Sequence, residues 1–280
     1  MGYFSVSIKE IDDQEVKCIK IGKSFMGKLV YPCYAFMIND ILIDTGPIVA
    51  QDKFLAFLEK NTPKHVLITH ADEDHIGNLK AIQSNFDVQT YAHPKALPFM
   101  KDPSFLNLLF YQRFVWGTPE PCTAEGVSID CPLNIDDFTF IPIETPGHRD
   151  HHLSFYLKEL KSLFTGDIYC GSHIKMLFSY ENFFEILESI KKLEKFNADL
   201  IFCAFRGVVD DVSFKLSEKV KFMEALQEKT ITLASEGKSP KEIRKSLLGR
   251  EKFISRFTQM DMCKKNMIQS ILETEKERSL

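Results

Sequence analysis

The sequence lacks the features that mark secreted and membrane-spanning proteins. Its first ten residues, Met-Gly-Tyr-Phe-Ser-Val-Ser-Ile-Lys-Glu, have neither the basic start nor the long apolar run of a secretory signal. No later stretch reaches about 18 consecutive uncharged apolar residues, so no membrane span is expected. The seven cysteines are scattered and form no Cys-x-x-Cys pair, which indicates reduced thiols rather than a disulfide framework. Together these absences predict a cytoplasmic protein.

A strong charge imbalance is also missing. Lysine and arginine number 35 and aspartate and glutamate 39, so the formal net charge is −4. Such mild acidity argues against non-specific binding to nucleic acid or to an anionic membrane. We therefore expect a small-molecule substrate, with no nucleic-acid or membrane partner, and a homodimer is compatible with the sequence. The sequence contains no glycine-rich phosphate loop and no Ser-His-Asp or Cys-His arrangement.

Short apolar runs alternate with helical spacing through the first 210 residues, which predicts an α/β layered domain. The predicted strands are 3–8, 16–21, 29–37, 40–44, 65–69, 88–92, 138–143, 153–158, 162–165 and 199–204. The predicted helices in this part are 49–60, 76–84 and 182–195. Beyond residue 210 the pattern is helical and rich in charge, with helices expected at 215–237, 240–248 and 261–275. The sequence thus predicts a catalytic domain over 1–210 and a helical extension over 211–280, packed on the core.

Aromatic and aliphatic side chains crowd into residues 100–120, among them Phe105, Phe110, Phe114 and Trp116. A helix packed on the core is one interpretation of this segment. An apolar flap over a ligand pocket is the other, because such pockets are lined by residues of this kind.

Four strand ends each deliver a histidine or an aspartate. The richest follows the strand 65–69, where His70, Asp72, Asp74 and His75 occur within six residues. Imidazole and carboxylate are the usual non-thiolate ligands of zinc and similar divalent ions. A solvated turn with an acidic helix cap would explain either aspartate alone, but not two histidines flanking the carboxylates.

The other three strand ends are simpler. Thr145-Pro146-Gly147-His148 follows one strand, Thr165-Gly166-Asp167 follows another, and Asp44-Thr45-Gly46 comes earlier in the chain. Each aspartate taken alone is a common turn residue. The four strand ends together form a constellation that core packing does not require, and they predict a metal site.

These motifs, in this order over roughly residues 28–207, resemble those of the metallo-β-lactamase-fold hydrolases, a superfamily that includes glyoxalase II-type thioesterases and lactonases. The resemblance implies an α/β (α+β) fold, the four-layer αββα sandwich of the metallo-β-lactamase type, here with a C-terminal helical extension. It also implies a hydrolase that uses a metal-bound water. The expected cofactor is a divalent metal, with zinc as the first choice, as one or two ions.

By the same resemblance, each motif residue has an expected role. His70, Asp72 and His148 would bind the first metal, Asp74 and His75 the second, and Asp167 would bridge them. Asp74 would also accept or relay a proton. Asp44 would support the ligands, and His152 would contact substrate or lie at the surface. Weaker candidates are His151, His173 and His93, and His65 is expected to be structural.

Two positions depart from the family pattern. The usual second histidine of the loop is Asp72 here, so Asp72, Asp74 and Asp167 would set a charge of −3 against +4 from two divalent ions. This should polarise bound water less and make iron or manganese more plausible beside zinc. The segment 200–207 also lacks the customary last histidine. Arg206 stands near that place, either to bind a substrate anion or as a surface residue.

Two other functions fit the same residues. In a mononuclear iron enzyme of the persulfide dioxygenase kind, His70, His148 and Asp167 would form a facial triad. Alternatively, the missing histidine would be explained by a non-catalytic member of the fold.

Overall fold

The chain forms two compact units in a computed structural model that describes residues 3–10, 16–25 and 28–278. The first unit comprises Met1–Glu144, His151–Asp167 and Ala198–Asp210. The second comprises Thr145–Asp150, Ile168–Asn197 and Asp211–Leu280. The predicted division into 1–210 and 211–280 differs from these units, because 145–150 and 168–197 cluster with the C-terminal residues. As a functional division it stays a prediction.

Within the described residues of the first unit, seven strands form one sheet in sequential order. They are β1 (Tyr3–Glu10), β2 (Val16–Phe25), β3 (Lys28–Ile38), β4 (Ile41–Ile43), β5 (His65–Leu67), β6 (Gln89–Ala92) and β7 (Glu125–Gly126). The first four are antiparallel, and β4 to β7 run parallel. Parallel strands place their carboxyl ends at the same edge of a sheet.

A second sheet of the first unit has six described strands, in the order β14-β13-β11-β10-β9-β8. They are β8 (Leu133–Ile135), β9 (Phe138–Glu144), β10 (Leu153–Leu157), β11 (Ser162–Phe164), β13 (Leu200–Cys203) and β14 (Gly207–Val209). All neighbours are antiparallel except β11 and β13.

The core of the first unit lies between the two sheets. Phe36 of β3 contacts Phe164 and Phe202 edge-on, with ring centroids 5.6 and 5.4 Å away, and the latter two rings stack at 4.7 Å. The central strand β4 is apolar and buried at all three of its residues, as strands covered on both faces are. The other face of the seven-stranded sheet packs against Phe54, Leu79 and their neighbours.

Short helices flank the seven-stranded sheet: α1 (Gln51–Leu58), α2 (Leu79–Asn85), α3 (Leu97–Lys101) and α4 (Phe110–Val115). The segment 100–120 is therefore not one helix. Its helix α4 buries Tyr111, Gln112 and Val115, whereas Phe110 and Phe114 are exposed. The flap interpretation stays a prediction.

The second unit is mainly helical, with α5 (Phe183–Leu193), α6 (Val212–Ser235), α7 (Pro240–Leu247), α8 (Phe253–Phe257) and α9 (Lys264–Arg278). A two-stranded ladder joins β12 (Leu177–Phe178) to β15 (Met262–Cys263). The ladder brings the start of the segment 177–183 to the C-terminal part of the chain. Among the residues that the structure describes, no helix has both the length and the apolarity needed to cross a membrane.

The central aromatic cluster yields a stability prediction. Phe36 is almost fully buried, so Phe36→Ala should leave a cavity between the sheets and lower the free energy of unfolding by about 3–5 kcal/mol. Urea denaturation measures this. The matched control is Phe110→Ala, whose side chain is 73% exposed and whose effect should stay within about 0.5 kcal/mol. Equal effects of the two substitutions would contradict the assigned core.

Candidate metal site

The ends of four strands of the first unit meet around one loop, residues 69–78. In the parallel pair β4–β5, Ile43 lies opposite Leu67, so Asp44 and the residues after Leu67 leave the sheet together. The amide of Asp44 donates to the carbonyl of Leu67 at 2.9 Å. The amide of Leu153, which begins β10, donates to the carbonyl of Thr69 at 2.7 Å. Residues 165–167 follow β11 directly.

The carboxylate of Asp44 organises the loop. Its Oδ1 accepts from the amide of Thr69 at 2.8 Å, and its Oδ2 accepts from the hydroxyl of Thr69 at 2.8 Å. Oδ2 also lies 2.8 Å from Nδ1 of His75. Asp44 has φ +58°, in the left-handed region that aspartate tolerates better than most residues. The structure thus places Asp44 behind the candidate ligands, where it orients His75.

Thr45, which follows Asp44 in the Asp-Thr-Gly motif, holds the loop 69–78 at His75. Thr45 donates both its amide, at 2.8 Å, and its hydroxyl, at 2.7 Å, to the carbonyl of His75. Asn78 in turn donates its side-chain amide to the carbonyl of Thr45 at 2.6 Å. A Cβ at Gly77 would stand 2.5 Å from the amide nitrogen of Ile48. The close approach of the two segments therefore requires glycine at this position.

The hydrogen bonds determine which ring nitrogen each histidine presents. Because the Thr69 hydroxyl gives its proton to Asp44, it accepts from Nδ1 of His70 at 3.0 Å. Nδ1 of His75 likewise donates to Asp44. Both rings therefore carry a proton on Nδ1 and turn Nε2 toward the place where a metal ion would bind, as in metal-binding histidines.

Asp167 lies beside His75 because the backbone at Gly166 packs closely against neighbouring side chains. Its Oδ1 lies 3.3 Å from Nε2 of His75, and its amide donates to Nε2 of His152 at 3.1 Å. A Cβ at Gly166, where φ is +45°, would stand 2.7 Å from Nε2 of His152 and 2.8 Å from Oγ1 of Thr69. His152 is fully buried, which excludes the surface position. The contact assigns it a supporting role behind Asp167.

Three of the predicted ligands fit one metal ion. Ligand atoms of His70, His75 and Asp167 all lie within 4.8 Å of one another, and all three residues are buried. Zinc takes nitrogen and oxygen ligands at about 2.0–2.2 Å, so small side-chain movements would bring these atoms onto one ion. Nε2 of His75 is buried and makes no hydrogen bond within the described part of the chain. A bound cation would satisfy it.

The charges of the site also favour a cation. Burial raises the pKa of the Asp74 carboxyl to about 7; the attraction of His75 lowers it in part, and repulsion from Asp167 and Asp72 adds to the rise. Burial lowers the pKa of His75, but Asp44, Asp167 and Asp74 outweigh it and hold that pKa well above the usual value. The shift of His75 shows that the surrounding carboxylates favour positive charge on its ring.

Two side chains that the sequence motifs did not indicate support the loop. Cys33 of β3 donates its thiol to the carbonyl of Asp74 at 3.1 Å. Its pKa is raised well above the ordinary value by burial and by the nearby carboxylates, so it stays a neutral thiol. Gln112 of α4 donates to Glu73 Oε1 at 2.9 Å, and both residues are buried. Neither pair has a local sequence signal, because its members are 41 and 39 residues apart.

His148 belongs to the second unit, where its Nδ1 lies 2.7 Å from Oε1 of Glu181. Glu181 was not predicted. The ligand roles of His148, Asp72 and Asp74 stay predictions, as does the assignment of residues to a first and a second ion. Arg206 is exposed in the turn between β13 and β14, and its contact with a substrate anion also stays a prediction.

The weaker histidine candidates have other contacts. His93 accepts the amide of Lys95 at 2.9 Å, and its Nε2 lies 3.1 Å from Glu144, so it caps a short 3₁₀ turn. His151 stacks on Phe99 with ring centroids 4.8 Å apart. His173 is exposed beside Phe222. His65 lies in β5 and stacks on Tyr91.

Comparison with known proteins agrees with this geometry. The family model described as the metallo-beta-lactamase superfamily matches residues 30–204. A Bacillus subtilis protein described as a probable metallo-hydrolase is 34% identical over 109 residues, 38% of this chain and 50% of the relative. A hydroxyacylglutathione hydrolase of Bdellovibrio bacteriovorus is 27% identical over 61% of this chain and 59% of its own length. The chain thus spans about half to three-fifths of these two relatives.

A solved structure extends the likeness over nearly the whole chain. The metallo-beta-lactamase family protein of Thermus thermophilus superposes with a TM-score of 0.68 at 19% identity, covering 95% of this chain and 94% of that one. Similarity at this level of identity shows the fold. The predicted fold class is confirmed, including helices in the C-terminal region.

The contact at Gly166 can be tested by substitution. Gly166→Ala should displace Asp167 or His152, because its Cβ would overlap atoms at 2.7 and 2.8 Å, and should reduce the zinc bound per chain. Gly237→Ala is the control, since Gly237 also has positive φ (+82°) but meets nothing within 4 Å. That control should lose about 1–2 kcal/mol of stability from backbone strain and keep its zinc. Elemental analysis and urea unfolding measure the two effects. Unchanged zinc content in Gly166→Ala would refute the close-packing argument.

Proposed function

The chain belongs to the metallo-beta-lactamase superfamily, and on that premise we propose that it is a metal-dependent hydrolase. We propose that it cleaves an ester, thioester, lactone or related bond of a small molecule. The observation that carries the proposal is the buried group His70, His75 and Asp167, with Nε2 of His75 left for a cation. The names of the relatives, a probable metallo-hydrolase and a hydroxyacylglutathione hydrolase, support the reaction class.

The cofactor we propose is zinc, as one or two ions. His70, His75 and Asp167 would hold an ion, and by family resemblance Asp72, Asp74 and His148 would complete the ligand set. A divalent ion bound there supplies a Lewis acid and brings the pKa of a coordinated water near neutrality. The carboxylate-rich set also suits iron or manganese, so metal identity is part of the test below.

The protein's own groups would position the ligands and move the proton. Asp44 and Thr69 hold the two histidines with Nε2 directed to the ligand, and His152 supports Asp167. We propose Asp74 as the group that takes up the proton released by the nucleophile. Its carboxyl is buried in the loop and its Oδ1 lies 3.9 Å from Nε2 of His75, and a carboxylate placed beside the metal ligands can serve as a general base.

We further propose a cytoplasmic location and a small-molecule substrate. The seven cysteines form no disulfide, which agrees with a reducing compartment. The mild formal net charge of −4 argues against binding to nucleic acid or to an anionic membrane, and so supports a small-molecule substrate.

Metal analysis combined with a substrate screen tests the proposed function. The purified protein should contain one or two zinc ions per chain and hydrolyse one class among thioesters, lactones and phosphodiesters. His70→Ala should lower that activity by more than about 100-fold, since a lost ligand should exceed the effect of a lost supporting residue. Asp74→Asn should also lower kcat, because the amide cannot take up the proton.

His173→Ala is the matched control, since its side chain is exposed in the second unit, and it should keep full activity. One iron per chain with oxygen consumption on a persulfide would replace the hydrolase proposal by an oxygenase. Absence of metal, with no activity and no effect of His70→Ala, would indicate a non-catalytic member of the superfamily.

A further inference from the structure

His148 is held by a carboxylate within the second unit. Its Nδ1 lies 2.7 Å from Oε1 of Glu181, whose side chain is 10% exposed. A carboxylate only accepts hydrogen bonds, so Nδ1 of His148 carries the proton and donates it. Nε2 then keeps the lone pair that a metal ligand needs. Such an outer partner fixes both the tautomer and the ring orientation of a metal-binding histidine.

Glu181 is itself fixed at both oxygens. Its Oε2 accepts the amide of Phe178 at 2.7 Å, while its Oε1 faces His148. The rings of Phe178 and Tyr180 stack at 5.3 Å and both meet the His148 ring edge-on, at 6.1 and 5.8 Å. The Glu181 carboxylate therefore cannot rotate away from His148 without also breaking the hydrogen bond from the amide of Phe178.

The segment that carries Glu181 is anchored by the C-terminal part of the chain. Leu177 and Phe178 pair with Cys263 and Met262 in the β12–β15 ladder. The described side-chain contacts of this anchor come from Asp261, Asn266 and Ser270. Asn266 donates to the carbonyl of Leu177 at 3.0 Å, Ser179 donates to Asp261, and Ser270 accepts the amide of Phe183 at 2.9 Å. All three anchor residues lie beyond residue 204, where the family model ends.

The turn that carries His148 is seated on the same segment. The amide of Asn182 donates to the carbonyl of Gly147 at 2.8 Å. Ser189 of α5 donates its hydroxyl to the carbonyl of Pro146 at 2.7 Å. A Cβ at Gly147, where φ is +124°, would stand 2.3 Å from the amide nitrogen of Ile186. The turn, the segment 177–183 and the C-terminal anchor therefore form one continuous set of contacts.

We propose that Glu181 is a positioning residue that fixes the tautomer and orientation of His148 as a metal ligand. The C-terminal extension supports it through the segment 177–183. This inference rests on the proposed function, in which His148 binds the metal. It assigns the extension a part in holding His148.

The decisive variant is Glu181→Gln. An amide has one acceptor oxygen, so it can serve His148 or the amide of Phe178, but not both. If its NH2 group faces His148, Nδ1 becomes an acceptor and Nε2 takes the proton. We expect the Kd for Zn²⁺, measured by competition with a chelator, to rise about 10-fold or more. In the metal-free protein, nitrogen-15 NMR of the imidazole should show His148 leaving its single Nδ1-protonated form.

The control is Glu185→Gln, an equal change of charge at an exposed position in the first turn of α5. It should leave both the Kd for Zn²⁺ and the His148 tautomer unchanged.

The contribution of the C-terminal anchor is tested by Asn266→Ala. This variant loses the hydrogen bonds to the carbonyls of Leu177 and Asp261. It should also raise the Kd for Zn²⁺, by a smaller factor than Glu181→Gln does. Lys265→Ala removes an exposed side chain from the same helix and should change neither Kd nor tautomer.

His148→Ala separates this inference from the proposed function. If His148→Ala leaves zinc affinity unchanged, His148 is not a ligand and both the ligand assignment and the inference fail. If His148→Ala weakens binding while Glu181→Gln changes neither affinity nor tautomer, the inference alone is overturned. A Glu181→Gln protein that merely unfolds more easily, with the tautomer and Kd of the folded state intact, also overturns it.

Discussion

Buried negative charge around the loop 69–78 is the constraint on which the first unit depends. Asp44, Glu73, Asp74 and Asp167 are all less than a tenth exposed. Burying an uncompensated carboxylate costs several kcal/mol, so each must be stabilised locally. Asp44 receives three donors and Glu73 receives Gln112. For Asp74, burial raises the pKa to about 7, so protonation removes part of its charge, and the raised pKa of His75 shows that the site favours positive charge.

The need to keep these buried carboxylates together explains why many contacts hold the backbone around the loop 69–78. A cluster of like charges separates unless its backbone is held from several directions. The parallel pair β4–β5 and the amide of Leu153 hold the loop from two strand ends. Gly77 lets its backbone approach that of Ile48, and Gly166 lets its backbone approach the side chains of His152 and Thr69, more closely than a Cβ would permit. The apolar core between the sheets therefore serves the site by keeping these strand ends in register, in addition to stabilising the fold.

Elements and motifs could be predicted from the sequence where residue chemistry and a local pattern indicated the same feature. Long apolar strands, the strand-end motifs and the helices α1, α2, α5, α6, α7 and α9 could be predicted, because period-two and helical spacing and the residue types at turns are local signals. The short helix α8 and the two- and three-residue strands β7, β8, β12, β14 and β15 were missed, because so short an element has little periodicity. The segment 100–120 was expected to be one helix or a flap, yet Pro103 and the left-handed Asn107 divide it into short pieces.

Within the site, candidate ligands could be predicted but their supporting partners could not. Residue type and motif order indicated His70, His75 and Asp167. In contrast, Glu181 reaches His148 across 33 residues, and Gln112 reaches Glu73 across 39. Such pairs depend on tertiary packing, for which one sequence contains no local pattern. Asp44 was predicted as a supporting residue from its motif, and the structure supplies the three bonds through which it acts.

The turn that follows β13 bears on how many metal ions the site can hold. Where the family resemblance predicts a last histidine, this chain has the turn 204–206 between β13 and β14. That turn is fixed from outside the hairpin, because the amide of Tyr34 donates to the carbonyl of Ala204 at 2.7 Å, and Gly207 packs against the Tyr34 ring. A rigid turn without an imidazole cannot lend a ligand by rearranging. Among the described residues of the first unit, one group of three can share an ion. In the predicted arrangement the second ion would then rely on Asp74, His75 and the bridging Asp167, with no imidazole from this turn.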